Sequence, residues 1–328
     1  MRLAILGGGS WGTALAIVLA AKFSEIRLWV FEQDLAERMR ASRENDVYLP
    51  GFRIPSNVAI HDELSCAAGA GIVLGVVPSH HARRVYSEAA QFVDADMIFV
   101  SATKGLEQGS LLRMSQVLEA ALPFARKIAV LSGPTFAREI AAGEPAAVVV
   151  ASHDSGVAGE VQAAFSGPSV RLYTNPDVTG VEIGAALKNV IAIAAGVSSG
   201  LGLGSNAHAA LVTRGLAEIT RLAVAMGGND RTLAGLSGLG DLVLTCGGEL
   251  SRNRRVGIEL AKGRPIQEIV ASMRMVAEGV ETCESAVRLG EKFGVDLPII
   301  QQMHRVIEGR RSPREALRDL MDRSLKQE

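Results

Sequence analysis

The first half of the chain alternates short apolar runs with segments of helical spacing. Residues 3–6, 26–31, 72–77, 97–100 and 128–131 are almost continuously apolar, and periodic segments at 13–21, 34–42, 80–92 and 110–121 lie between them. A strand apolar at every position has both faces covered, and helices linking such strands imply parallel pairing. Two further runs, 147–151 and 170–173, are closed by the turn Asn175-Pro176-Asp177. From about Val181 strand-like runs cease, and helical segments fill 181–197, 207–226, 253–261, 266–272, 280–293, 299–308 and 313–323. Gly263, Gly294 and Gly309 stand where helices should stop, and Pro265, Pro298 and Pro313 where the next begin. The pattern predicts an α/β domain with a mostly parallel sheet over 1–180, then an all-α domain over 181–328.

Composition narrows the classes of function. Hydrophobic residues make up 48% of 328, which excludes intrinsic disorder. Aromatics are 4% against 35 glycines, so small and aliphatic side chains must do the packing. A net charge of −1 lacks the positive field that nucleic-acid binding needs. Cys66, Cys246 and Cys283 are odd in number, scattered and without C-x-x-C spacing. They indicate neither a disulfide framework nor a metal site, and a reducing cytoplasm is expected. Residues 189–213 are uncharged and long enough to span a bilayer. Gly200, Gly202 and Gly204 would leave backbone groups unpaired in lipid, so a buried helix, a loop and a second helix start are expected, with no membrane span. Likewise Gly7-Gly8-Gly9-Ser10 interrupts the apolar N-terminus where a signal peptide would be continuous.

The same glycines carry the first chemistry. Gly7, Gly9 and Gly12 match G-x-G-x-x-G between a strand and an Ala-rich helix. The first glycine permits a tight turn, the second lets backbone approach a pyrophosphate, and the third lets helix and strand pack closely. The helix N-terminus then offers N–H groups to the anion. Phe31-Glu32 ends the second apolar run about twenty residues past Gly12, where an acidic side chain can bind a ribose 2′-hydroxyl and repel a 2′-phosphate. Glu32 therefore leans towards NAD over NADP, unless Arg38 or Arg40 offsets its charge.

A second group of residues is polar where its surroundings are not. Lys188 lies in an otherwise largely apolar helix, where desolvation suits it to proton transfer, with Asn189 beside it. The alternative is a lysine snorkelling to an interface edge. Lys104 follows one strand, and Ser132-Gly133-Pro134-Thr135-Phe136-Ala137 follows the next, at the sheet edge where open α/β folds bind ligands. Asp241 sits in an apolar loop, as a helix cap or as a partner that orients Lys188. Ser251 is a good N-cap, and Arg252 with Asn253 in the first helical turn would seat a phosphate. Together these residues read as a nicotinamide-dependent oxidoreductase acting on a phosphorylated or acidic substrate, without naming it.

The motifs also resemble a family. Gly7-Gly8-Gly9-Ser10-Trp11-Gly12, Val77-Pro78-Ser79-His80, Ala102-Thr103-Lys104-Gly105-Leu106 and Leu131-Ser132-Gly133-Pro134-Thr135-Phe136-Ala137 resemble the bacterial NAD(P)-dependent glycerol-3-phosphate dehydrogenases. Leu187-Lys188-Asn189-Val190, Gly238-Leu239-Gly240-Asp241-Leu242 and Ser251-Arg252-Asn253-Arg254-Arg255 continue the resemblance, in order, to about residue 320. It implies a Rossmann-type domain followed by a helical domain of the 6-phosphogluconate-dehydrogenase-like kind. It also implies a cytoplasmic enzyme, expected to be a homodimer, that interconverts dihydroxyacetone phosphate and sn-glycerol 3-phosphate for phospholipid synthesis, with NAD or NADP and no metal. By motif match Lys188 is the proton acceptor and donor, with Lys104 and Asp241 beside it in catalysis. Lys104, Gly133, Thr135, Lys188, Asp241, Ser251, Arg252 and Asn253 fall on substrate positions. Gly7, Gly9, Ser10, Trp11, Gly12, Phe31, Glu32, Lys104, Ala137, Arg252, Val276 and Glu278 fall on cofactor positions. Phe31 departs from the polar or basic residue common at its place. The rival readings are a ketopantoate-type or 3-hydroxy-acid dehydrogenase, or an NAD-sensing module without catalysis.

Overall fold

Strand β1 (Arg2–Leu6) sends Leu3 and Ile5 into one core layer and Ala4 and Leu6 into another, so it shows no polar alternation. The strands Ile72–Gly75 and Ile98–Ser101 divide their side chains between the same two layers, which explains why they read as continuous apolar runs. The computed structural model describes residues 1–273 and 275–324. Its remaining strands are β2 (Glu25–Trp29), β3 (Glu44–Asn45), β4 (Leu49–Arg53), β5 (Val58–His61), β6 (Ile72–Gly75), β7 (Ile98–Ser101), β8 (Lys127–Ser132), β9 (Ala146–Ala151) and β10 (Val170–Asn175). Helices α1 (Ser10–Leu19), α2 (Gln33–Ser42), α3 (Ser79–Ala89), α4 (Met114–Ala121), α5 (Ala137–Ala141) and α6 (Ser155–Phe165) accompany them.

These elements form a first unit, Met1–Lys104 with Leu112–Glu182. Its eight-stranded sheet runs β10-β9-β8-β7-β6-β1-β2-β5, with β3 and β4 paired separately. All neighbours in the large sheet are parallel except β8 and β9. Because β1 lies between β2 and β6, the strand order reverses at its carboxyl end, the place where such sheets take ligands.

The second unit joins Gly105–Leu111 to the chain from Ile183 onward. Its helices are α7 (Val178–Gly200), which starts in the first unit, α8 (Ser205–Ala225), α9 (Asp230–Leu233), α10 (Asp241–Gly247), α11 (Arg252–Ala261), α12 (Ile266–Ala271), α13 (Glu278–Phe293), α14 (Pro298–Ile307) and α15 (Pro313–Met321). Residues 105–111, expected in the first domain, belong here because Leu106 lies in the helical core with Ile183, Leu187 and Val190. Helix α7 is apolar and long enough to cross a membrane, and its apolar window is wholly buried. A break over 201–204 separates it from α8. Its close neighbour is α11: a Cβ on Gly257 would lie 1.9 Å from the Ile193 carbonyl oxygen, and one on Gly196 2.0 Å from that of Arg254. Only paired glycines allow helix backbones to approach so closely.

Candidate active site

The turn after β1 is shaped by its glycines. Gly7 has φ +127°, and a Cβ there would sit 2.6 Å from the Val76 carbonyl oxygen. A Cβ on Gly12 would sit 1.9 Å from the Gly7 carbonyl oxygen. Gly9 is different: its Cβ would meet nothing within 4 Å, so the chain is tight on both sides of an open place. Gly9 is also the N-cap of α1, and no side chain caps that helix end. Trp11, in the first turn, has a buried Nε1 with no hydrogen-bond partner among the described residues. An open backbone cradle at an uncapped helix N-terminus fits the pyrophosphate of a dinucleotide. Strand β2 ends at Trp29, leaving Phe31 exposed and Glu32 as N-cap of α2. Arg38 is engaged with Asp34 at 2.9 Å and Asp46 at 3.2 Å, and Arg40 pairs with Asp62. Neither arginine is therefore spare to answer Glu32.

Two loops at the sheet's carboxyl edge meet through Lys104. Its Nζ donates to the Gly133 carbonyl oxygen at 2.9 Å and to Thr135 Oγ1 at 3.3 Å, joining the segments after β7 and β8. Ala137 opens α5 directly after them.

In the second unit, Lys188 of α7 is 5% exposed and its Nζ donates to Asp241 Oδ1 at 2.7 Å and to Thr245 Oγ1 at 2.8 Å. Thr245 in turn donates to the Asp241 carbonyl oxygen at 2.6 Å, one helical turn back, so its hydroxyl presents a lone pair to the lysine. Asp241 is not in a loop, as the flanking glycines suggested. It begins α10, entered through a π-helical turn over Leu236–Gly240, and it orients Lys188. Ser251 caps α11 by accepting from the Arg254 amide at 3.2 Å. Arg252 follows it, and burial pushes its guanidinium below the usual arginine value, with Glu278 partly offsetting this. Asn253 Oδ1 accepts from the Gly279 amide at 3.0 Å, which ties the start of α11 to the start of α13 and leaves its Nδ2 to donate. Glu278 opens α13, and Val276 lies exposed just before it.

Of the expected residues, Gly7 to Gly12, Phe31, Glu32, Lys104, Gly133, Thr135 and Ala137 lie in the first unit, and Lys188, Asp241, Ser251, Arg252, Asn253, Val276 and Glu278 in the second. Sequence reasoning missed Thr245 and Tyr48. Thr245 stands four residues after Asp241, a spacing that marks a shared helix face once 241–247 is recognised as helical. Tyr48 donates to Glu32 Oε1 at 2.6 Å from a hairpin that carried no periodic signal.

Comparison with known proteins identifies the family. Residues 2–158 match the model of the N-terminus of NAD-dependent glycerol-3-phosphate dehydrogenase, and residues 177–318 match that of its C-terminus. A glycerol-3-phosphate dehydrogenase [NAD(P)+] of Koribacter versatilis is 54% identical over 327 residues, covering 98% of this chain and 97% of that one. One of Syntrophotalea carbinolica is 52% identical over 331 residues, covering 100% and 99%. The crystal structure of the Coxiella burnetii enzyme superposes with a TM-score of 0.94 at 40% identity, over 98% of this chain and 99% of that one. With both halves of the chain matched in order, the chain belongs to the NAD-dependent glycerol-3-phosphate dehydrogenase family.

Proposed function

We propose that the chain reversibly reduces dihydroxyacetone phosphate to sn-glycerol 3-phosphate. The observation that carries this reading is the buried cluster of Lys188, Asp241 and Thr245. NADH or NADPH, when bound, would supply the hydride chemistry at the carbonyl carbon. Gly7, Gly9, Ser10, Trp11 and Gly12 would hold its pyrophosphate, with Ala137 as a further contact on the same unit. Lys188 donates a proton to the carbonyl oxygen as charge develops there and takes it back on oxidation. Asp241 and Thr245 fix the ammonium at two of its three donor positions, so the lysine cannot wander among rotamers. Arg252, the Asn253 Nδ2 and the start of α11 seat the phosphate, whose binding energy orients the carbonyl. Lys104, with Gly133 and Thr135, is assigned to substrate recognition on the first unit. The rival two-domain acid reductases need a carboxylate seat, and a sensing module needs no proton donor.

The test is to mix purified protein with dihydroxyacetone phosphate and each reduced cofactor and to follow the reduced-nicotinamide absorbance. Rapid loss is expected with at least one cofactor. No loss from folded protein that still binds nucleotide would overturn the substrate. We also propose a cytoplasmic homodimer that supplies the phospholipid precursor; sedimentation measures its mass and cell fractionation its location. The three cysteines, all free and buried, are compatible with a reducing compartment.

A further inference from the structure

The hairpin of β3 and β4 ties itself to the nucleotide turn. Asn45 is fully buried, and its amide donates to the Gly8 carbonyl oxygen and to Thr13 Oγ1, each at 2.8 Å. Its Oδ1 accepts from the Tyr48 amide at 2.9 Å, which fixes the hairpin's tip. From that tip the Tyr48 phenol donates to Glu32 Oε1 at 2.6 Å. One hydrogen-bonded chain therefore runs from the turn that would cradle a pyrophosphate to the acidic residue that would meet the adenosine ribose. Burial and the neighbouring carboxylate push the phenol up to about 12, so it stays a donor throughout the neutral range. With Oε1 engaged by Tyr48, Oε2 would be left to accept from a ligand hydroxyl.

Arg38 and Arg40 do not cancel this charge. Arg38 is spent on Asp34 and Asp46, and Arg40 on Asp62 and the Ile60 carbonyl oxygen at 3.0 Å. Arg84 lies over the Phe31 ring, its Cζ 5.3 Å from the centroid, and Phe31 offers a face rather than a donor.

We propose that Tyr48 is a positioning residue for cofactor choice: it holds Glu32 to accept from the ribose 2′-hydroxyl and makes the site selective for NAD(H) over NADP(H). The inference rests on the proposed function only in requiring that a nicotinamide dinucleotide binds. A ribose hydroxyl gains a charge-assisted hydrogen bond from the held carboxylate, whereas a 2′-phosphate meets an anion with no released counter-charge.

Calorimetric titration with NADH and with NADPH, without substrate, tests this on the wild type, Tyr48→Phe and Glu32→Gln. The wild type is expected to bind NADH ~10-fold or more tightly than NADPH, the effect of one like-charge juxtaposition. Tyr48→Phe should narrow the ratio by weakening NADH severalfold and NADPH little. Glu32→Gln should narrow it chiefly by tightening NADPH, and it reads the same site should Tyr48→Phe fold poorly. Equal wild-type affinities would overturn the selectivity while leaving the dinucleotide site intact. Proportional weakening of both cofactors in Tyr48→Phe would overturn the positioning role and make the residue structural. Binding of neither cofactor to folded wild type would overturn the dinucleotide reading and this inference with it.

Discussion

A lysine at 5% exposure persists only where its charge is answered, and Asp241 at 1% answers it. Removing one partner of such a pair strands the other, which costs more than removing the charge altogether. Asp241→Asn is therefore expected to lose ~3–5 kcal/mol of stability along with activity. Lys188→Met strands the buried Asp241 carboxylate in turn, so it should cost comparable stability, and it should lower kcat by ~100- to 10,000-fold, the share of a general acid, while nucleotide binding survives. Denaturant titration beside initial rates checks both; a Lys188→Met variant with most of the wild-type kcat would remove its catalytic role. Arg252→Ala should raise KM for the phosphorylated substrate steeply and leave dinucleotide affinity less affected. An unchanged KM would place the phosphate elsewhere. At this scale the sequence was most legible where a polar residue interrupts an apolar run, as Lys188 does. Thr245 and Tyr48 act through partners distant in the chain, 57 residues from Lys188 and 16 from Glu32; only the four-residue step from Asp241 to Thr245 is local, and it reads as a shared face only once 241–247 is known to be helical.

Helix termini hold the next level of control. Glu218 of α8 accepts from the Ile299 amide at 2.7 Å and the Ile300 amide at 3.2 Å, capping α14 from another helix. Burial outweighs those bonds and pushes its carboxyl up to about 7 from 4.5. Between those values the folded chain keeps a proton that the unfolded chain has released, so stability falls as pH rises through that window and is fully regained below it. Relative to Glu218→Gln, the wild type should gain ~1–3 kcal/mol on acidification across the window. A difference that does not vary with pH would show that the carboxyl titrates normally. Strands buried on both faces were legible as apolar runs, and helices bounded by Gly294 or Pro298 as punctuated segments. Strand β5, four residues alternating at the sheet edge, fell below any periodic signal. Helix α6 is diluted by Gly156 and Gly159, although Asp154 caps it by accepting from the Gly156 amide at 2.8 Å. Helix α10 was hidden behind Gly238 and Gly240, which mark the π-helical turn rather than a loop.

Across the molecule, the thiols report on integrity. Burial pushes Cys66 and Cys246 up to about 12 and raises Cys283 as well, so native protein should resist a thiol reagent and take up three labels on unfolding. Fast labelling of any one in the native state would reveal local opening of its unit. The excursion at 105–111 was not legible, because a seven-residue loop carries no sign of which core it joins. Leu106 is 1% exposed in the helical core, and Leu106→Ala should cost that unit ~2–5 kcal/mol as measured by unfolding. The excursion also bears on inheritance. A single genetic crossover near codon 183 would give a hybrid its helical core from one parent and the leucine that fills it from the other. Recombinants that keep codons 105–111 with the downstream half inherit socket and filling together, so the two exchangeable blocks of this gene are not contiguous.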